Sequence, residues 1–149
     1  MSELKKKLIA EAGSYVEERL KRIHTAIDDL QAALKLETKC SMGDKYETGR
    51  AMLHLEFEKL SGQLEQYGKL KKTLNAIPVQ AQNKVDFGSI VKTNAANYFI
   101  AVPAGELRLD SEKFYAVGTN SPVALAMKNK KSGEDFTLNG QIYSILSVE

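Results

Sequence analysis

Two long stripes of apolar residues, neither interrupted by proline, constrain the fold of this chain more than any other feature. Apolar residues recur at spacings of three and four between residues 4 and 34, and again between residues 53 and 74. Such spacing places apolar side chains on one face of a helix. The segment 38–43 between the stripes is short and has no apolar periodicity, and Pro78 should end the second helix. The sequence therefore predicts a long antiparallel helical hairpin, or coiled coil.

After the second stripe the sequence changes to short runs that are typical of strands. The predicted strands cover residues 85–91, 98–102, 114–117, 135–138 and 141–148. Asn139-Gly140 separates the last two, and this dipeptide favours a type I′ hairpin turn because both of its residues tolerate positive φ. Ser121 as an N-cap and Pro122 at the first helical position predict one short helix over residues 121–128.

These elements predict a division of the chain near residue 78. Residues 1–78 would form the helical hairpin, the polar residues 79–84 a linker, and residues 85–149 a small antiparallel sheet that carries one helix. The predicted fold class is therefore α+β.

The composition excludes several classes of protein. A net charge of +2 over 149 residues is too small for nucleic-acid binding by bulk charge, so any such contact would be local. Cys40 is the only cysteine, which excludes an internal disulfide and a cysteine-rich zinc site. No apolar run approaches the roughly 20 residues of a membrane span, and no signal peptide is recognisable. We therefore expect a cytoplasmic protein that has no membrane partner.

Two acids, Asp44 and Glu47, stand three residues apart where the second helix should begin, just after Gly43. One interpretation is a capping box, in which each side chain accepts a hydrogen bond from the backbone N–H of the other residue. The other is a pair of carboxylates on one helix face that shares a hard cation such as Mg²⁺. Two carboxylates alone would bind Mg²⁺ weakly. The spacing by itself favours the capping box, and the two interpretations are compatible.

Several segments occur in a fixed order, of which the first lies at the tip of the hairpin and the others follow the hairpin. They are Gly43-Asp44-x-x-Glu47, the proline-ended linker, Val85-Asp86-Phe87-Gly88-Ser89-Ile90-Val91, Ser121-Pro122-Val123-Ala124-x-Ala126, and Lys130-Lys131-Ser132-Gly133-Glu134 before the closing hairpin. Their joint order, over nearly the whole chain, resembles the bacterial Gre transcript cleavage factors, the GreA/GreB family of transcription elongation factors. No single motif among them is specific.

The resemblance implies an accessory factor of RNA polymerase and not an independent enzyme. Gre factors insert the hairpin into the secondary channel of the polymerase, where two tip acids help to hold a catalytic Mg²⁺ while the polymerase cleaves backtracked RNA. By resemblance these acids are Asp44 and Glu47. The protein alone would bind no cofactor, and Mg²⁺ would be held only in the polymerase complex. The partners would be RNA polymerase and the transcript RNA 3′ end.

The resemblance also implies roles for other residues. Ser121 and Pro122 match the segment that docks on the polymerase, in a C-terminal domain that would be FKBP-like. A function in transcription elongation would bring the factor close to DNA as well. Basic residues near the tip are candidates for contact with RNA phosphates, namely Lys39, Lys45 and Arg50. Basic residues further from the tip are more simply a solvated helix face, namely Arg19, Lys21, Arg22 and Lys35.

The tip departs from the usual pattern of the family, Gly-Asp-Leu-x-Glu-Asn-Ala-Glu-Tyr. The asparagine, the third acid and the aromatic residue are missing, and Arg50 reverses a charge one turn from Glu47. A regulator that binds the same channel without stimulating cleavage is therefore an alternative. More distant alternatives are an FKBP-like prolyl isomerase or chaperone, against which the absence of Trp counts, and a protein whose hairpin dimerises. The resemblance favours a monomer.

Overall fold

The fold begins with two long helices, as the apolar stripes predict. The structure is a computed structural model that describes residues 3–39, 43–78 and 80–149, without the side chains of residues 37–48. Helix α1 spans Glu3–Lys39 and helix α2 spans Gly43–Asn75. The second helix ends shortly before Pro78, whose ring and missing N–H cannot continue it.

Helices α1 and α2 run antiparallel, which confirms the predicted hairpin. Lys71 Nζ on α2 lies 2.7 Å from Glu17 Oε1 on α1. Further along α1, Ile23 lines the same groove as Gln63 and Tyr67 of α2. Low-numbered residues of α1 therefore face high-numbered residues of α2. Apolar side chains between the helices are buried, among them Val16, Ile23, Leu30 and Leu60.

Six strands and one short helix follow the hairpin. The strands are β1 Ile90–Thr93, β2 Asn97–Ala101, β3 Gly105–Leu109, β4 Glu112–Gly118, β5 Asp135–Leu138 and β6 Gln141–Val148, with helix α3 at Pro122–Met127. Their order in the sheet is β3-β4-β2-β1-β6-β5. Strands β5 and β6 match the prediction residue for residue. Asn139 and Gly140 between them have φ of 52° and 77°, as a type I′ turn requires. The α+β class is confirmed.

The sheet is mixed, so the prediction of an antiparallel sheet was wrong for one strand pair. Strands β2 and β4 run parallel, with Tyr98 opposite Tyr115, whereas the other described pairs are antiparallel. The prediction lacked β3, in which only Leu107 is buried and the period-two signal is correspondingly weak. Because the chain reverses before and after β3, β4 returns in the direction of β2 and lies beside it, which leaves β3 at the edge.

The strand predicted over residues 85–91 was also wrong over most of its length. Strand β1 begins only at Ile90, and the residues before it form a tight turn. Ser89 N–H donates to the carbonyl oxygen of Asp86 at 3.0 Å, and Gly88 has a φ of +89°. Such a backbone conformation favours glycine and is incompatible with a continuous strand.

Both faces of the sheet are covered. On one face, Val91, Ile100, Phe136 and Ile145 form a core with residues of α3, chiefly Met127. Neighbouring residues in a strand point to opposite faces, so the fully buried Phe99 and Phe114 belong to the other face. The register places Ile90, Phe99 and Ala116 side by side there.

The chain divides into two compact units. One contains residues 1–15 and 72–149, and the other contains residues 16–71. Besides α3, the first unit contains two described helical segments, the first turns of α1 and the last residues of α2. We infer that they cover the sheet face that carries Phe99 and Phe114, since Leu8 and Ala12 of α1 are fully buried. The predicted boundaries at residues 78 and 85 stay a prediction.

Lys5 is a charged residue in the core of this first unit. Its side chain is fully buried, and its Nζ donates to the carbonyl oxygen of Gln80 at 2.9 Å. Burial lowers the pKa of the Lys5 ammonium, and the nearby charge of Glu149 opposes this shift. The apolar stripe predicted that Leu4 lies on the buried face of α1, but Leu4 is only half-buried. The buried ammonium ties α1 to the segment that follows Pro78.

Candidate functional site

The two predicted tip acids lie at the start of α2. The helix begins at Gly43, so Asp44 and Glu47 are its second and fifth residues, a few positions after the end of α1 at Lys39. This confirms the predicted helix start. Their side chains lie outside the described residues, so the capping box and the cation-sharing pair both stay predictions.

The predicted phosphate contacts fall on the same end of the hairpin. Lys39 is the last residue of α1 and Lys45 belongs to the first turn of α2, but both side chains lie outside the described residues. Arg50 is described and is half-buried, and it takes part in an interaction within the structure. Further along α1, Arg22 Nη2 lies 2.6 Å from Glu18 Oε1. This contact fits a solvated helix face with local ion pairs.

Ser121 and Pro122 occupy the predicted positions at the start of α3. Ser121 has extended dihedrals, φ −66° and ψ 151°, and Pro122 is the first helical residue. The Ser121 hydroxyl accepts from the backbone N–H of Ala124 at 3.4 Å and donates to the carbonyl oxygen of Gly118 at 2.7 Å. The hydroxyl is thus used locally, as the N-cap prediction requires. These residues belong to a different unit from the tip acids.

A cavity of about 270 Å³ lies beside α3. Its buried lining comes from the turn before β1, from β2 and from α3, namely Val85, Ile100 and Ala124. Around them stand the half-buried Phe87, the exposed Lys128 and Leu125, whose exposed fraction is 55%. The lining thus combines apolar side chains with polar ones, which include Asp86, Thr119 and Asn120. Two segments that resemble Gre factors, residues 85–91 and 121–126, therefore meet at this cavity.

A hydrogen-bonded network fixes the turn that carries Phe87. Gln82 Nε2 donates to the carbonyl oxygen of Phe87 at 2.9 Å, and the buried Ser89 hydroxyl donates to Gln82 Oε1. The same hydroxyl accepts from the backbone N–H of Asp86 at 2.9 Å. The polar residues after Pro78 thus hold one wall of the cavity in place.

The described residues contain no group of three or more His, Cys, Asp or Glu side chains placed to hold a metal ion. Across the same residues, none of the helices combines the length and the apolar character needed to cross a bilayer.

The chain is similar to several solved structures of known proteins. No protein-family model matches the chain, and no curated protein matches it significantly. The chain is similar to a structure of the transcription factor Gfh1 at 11% identity and a TM-score of 0.40, over 93% of this chain and 94% of that one. It is similar to GreA factor homolog 1 (Gfh1) of Thermus thermophilus at 13% identity and a TM-score of 0.37, over 92% and 94%. It is similar to Gfh1 of Thermus aquaticus at 13% identity and a TM-score of 0.35, over 89% of this chain and 95% of that one.

Sequence reasoning identified the helix starts at Gly43 and Ser121 and missed the cavity. Helix starts have local signals, because glycine, proline and capping residues act within a few positions. The cavity depends on Phe87 and Leu125, which lie far apart in the sequence. Neither residue carries a local sequence signal for the cavity.

Proposed function

We propose that this protein is a Gre-like accessory factor of RNA polymerase. Its hairpin enters the secondary channel and presents Asp44 and Glu47 to Mg²⁺ held by the polymerase, which then cleaves backtracked RNA. The observation that carries the proposal is the position of both acids among the first five residues of α2, the antiparallel partner of α1. The order of the segments that resemble Gre factors supports it. In this proposal the protein is not itself an enzyme.

Asp44 and Glu47 would complete a metal site and would not form one alone. Mg²⁺ requires octahedral coordination, and two carboxylates leave most positions to waters and phosphate oxygens. When bound, the ion supplies Lewis-acid activation and a nucleophilic water. The contribution of this chain would be two negative charges, three residues apart near the start of α2.

In the same proposal the cavity beside α3 docks on the polymerase. The Ser121 hydroxyl is occupied by its bonds to Gly118 and Ala124, so it holds the start of α3 in place. The contact itself would come from Pro122 and Leu125, which are exposed. An apolar side chain of the polymerase would enter the cavity between Leu125 and Phe87.

The test uses a backtracked polymerase complex with Mg²⁺, in which the RNA 3′ end is followed over time. We expect the protein to release short 3′ fragments, and the pair D44A/E47A to abolish release while polymerase binding persists. The matched control is D28A/D29A, which removes two exposed acids of the same hairpin and should leave release unchanged. Intact RNA at saturating binding contradicts the cleavage role.

Docking is tested separately by polymerase affinity. We expect L125A to weaken binding by roughly tenfold or more, because it removes an exposed apolar side chain that the polymerase would bury. The control I142A removes a side chain that is 71% exposed on β6, away from the cavity, and should bind as the original chain does. Equal affinities for the two variants would contradict the docking surface, and failure of the original chain to bind would contradict the whole proposal.

A second candidate is a channel regulator that does not stimulate cleavage. The half-buried Arg50 favours it, because a guanidinium three residues after Glu47 on the same helix can offset the charge of the acids. If so, R50A should gain cleavage activity that the original chain lacks. If R50A is as inactive as the original chain at saturating binding, Arg50 is not the cause.

A further inference from the structure

A cluster of four lysines lies on the sheet-containing unit, and only one of them, Lys128, borders the proposed docking cavity. Lys84 lies opposite Lys131 in an isolated antiparallel β-bridge. Val85 N–H donates to the carbonyl oxygen of Lys130 at 2.9 Å, and Asn129 N–H donates to that of Val85 at 2.8 Å. These bonds join the segment after Pro78 to the segment after α3. They bring together four lysines, here called the lysine cluster: Lys84, Lys128, Lys130 and Lys131.

The cluster is accessible and its charge is not neutralised by ion pairs. Lys130 is half-buried and the other three lysines are exposed. Within the part of the chain that the structure describes, none of the four forms an ion pair, although several lysines elsewhere do. Residues opposite each other in an antiparallel bridge have their side chains on the same face, and like charges there are destabilising. An anion bound between Lys84 and Lys131 would relieve that repulsion.

The acids bonded within the same segments do not remove the positive charge. Asp86 Oδ1 accepts from the backbone N–H of Phe87 at 2.8 Å. Glu134 Oε1 accepts from the backbone N–H of Lys131 at 3.1 Å. Both carboxylates are thus directed to the backbone. Two acids against four lysines leave a local excess of positive charge on this surface, although the whole chain is close to neutral at +2.

The surroundings of the cluster suit a nucleic-acid backbone better than an acidic protein. An open groove of about 550 Å³ next to Lys84 is lined mainly by polar side chains, among them Gln82 and Asn83. Protein interfaces need an apolar, desolvated centre, and the described residues that line this groove include no large apolar side chain. Ammonium groups with neighbouring amides are the groups that contact phosphates and sugars.

We propose that the lysine cluster binds the phosphodiester backbone of a nucleic acid directly, without the polymerase. Contacts of this kind fix position and carry no sequence information. Binding through the lysine cluster is therefore independent of sequence and falls steeply with salt, because each neutralised phosphate releases counterions.

The test measures binding of the full chain to a labelled short DNA duplex and to a single-stranded RNA, between about 50 and 200 mM salt. The variant K84Q/K130Q/K131Q leaves Lys128 in place because that residue borders the cavity beside α3. We expect it to bind roughly tenfold or more weakly at low salt. The slope of log affinity against log salt should become shallower by about 2–3, since each phosphate contact contributes about 0.9 on a duplex. The duplex and RNA arms distinguish the two sources of the same phosphate chemistry.

The matched control is K6Q/K69Q/K113Q, which removes the same charge from lysines that form ion pairs elsewhere. It should bind nucleic acid as the original chain does. An equal loss in both triple variants would overturn the proposal in favour of bulk charge. Absence of binding to both duplex and RNA, or equally tight binding to polyglutamate, would also overturn it. Polymerase binding by K84Q/K130Q/K131Q should persist, so this proposal and the accessory-factor proposal fail independently.

Discussion

Gly88 is the residue at which the backbone conformation and the space around it both demand glycine. Its φ is +89°, and a Cβ there would lie 2.9 Å from Pro78 Cδ and 3.2 Å from Ile77 Cγ2. The left-handed region costs a non-glycine residue about 1–2 kcal/mol, and overpacking typically adds about 1–3 kcal/mol. We expect Gly88→Ala to lower the free energy of unfolding by both amounts, as measured by urea denaturation.

Gly133 provides a control for Gly88. It has the same φ of +89° but nothing within 4 Å of its added Cβ. Gly133→Ala should therefore cost only the left-handed strain, about 1–2 kcal/mol. The difference between the two variants measures the contact between the turn before β1 and Pro78. Equal losses would mean that this contact is loose in solution.

Lys5 should make stability depend on pH in the alkaline range. Burial lowers its pKa in the folded chain below the ordinary 10.5, so between the lowered pKa and 10.5 the unfolded chain binds more protons. The free energy of unfolding therefore rises with pH across that window. Lys5→Met has no such group. Urea denaturation at several pH values should show that the original chain gains stability relative to Lys5→Met as pH approaches 10.5. If the free energies of unfolding of the two chains depend on pH in the same way, the pKa of Lys5 is not lowered.

Helix α3 allows the capping role of Ser121 to be separated from a docking role. Ser121→Ala removes the acceptor for Ala124 N–H and the donor to Gly118, and should lower the free energy of unfolding by about 1 kcal/mol. Ser121→Thr should restore most of it. If Ser121→Ala also binds polymerase normally at a temperature where it is folded, the hydroxyl serves the helix only. An unchanged free energy of unfolding would show that the cap contributes nothing.

The elements that could be predicted from the sequence are those with local signals. The two helices follow from their apolar period, and the β5–β6 hairpin follows from Asn139-Gly140. Strand β3 could not be predicted because Leu107 is its only buried residue. The parallel placement of β4 depends on β3, so it was lost for the same reason. The strand expected to start at Val85 failed because the apolar residues there surround a turn at Gly88.

The candidate site divides in the same way. Gly43 and Ser121 could be read as helix starts because capping acts within one turn. The cavity beside α3 and the lysine cluster could not be predicted from the sequence. Each joins the segment around Lys84 and Val85 to residues some forty positions later. Lys5 was missed because an apolar period gives no reason to bury an ammonium, which is tolerated only where acceptors such as the Gln80 carbonyl are within reach.

At the scale of the whole molecule, the sheet should need the start of α1 in order to fold. The face that carries Phe99 and Phe114 is buried. Apart from α3, the described helical segments of this unit are the start of α1 and the end of α2. A fragment of residues 85–149 would expose that face, and we expect it to bind hydrophobic dyes and to show poor NMR dispersion.

A circularly permuted fragment is the control for this prediction. Residues 72–149 would be joined through a Gly/Ser linker to residues 1–15, which restores Leu8, Ala12 and Lys5. Glu149 lies close enough to Lys5 to influence its pKa, and about ten flexible residues span roughly 17 Å. We expect this fragment to give a dispersed spectrum and a cooperative unfolding transition. If the 85–149 fragment folds equally well, the sheet is an autonomous domain and the predicted boundary at residue 85 is correct.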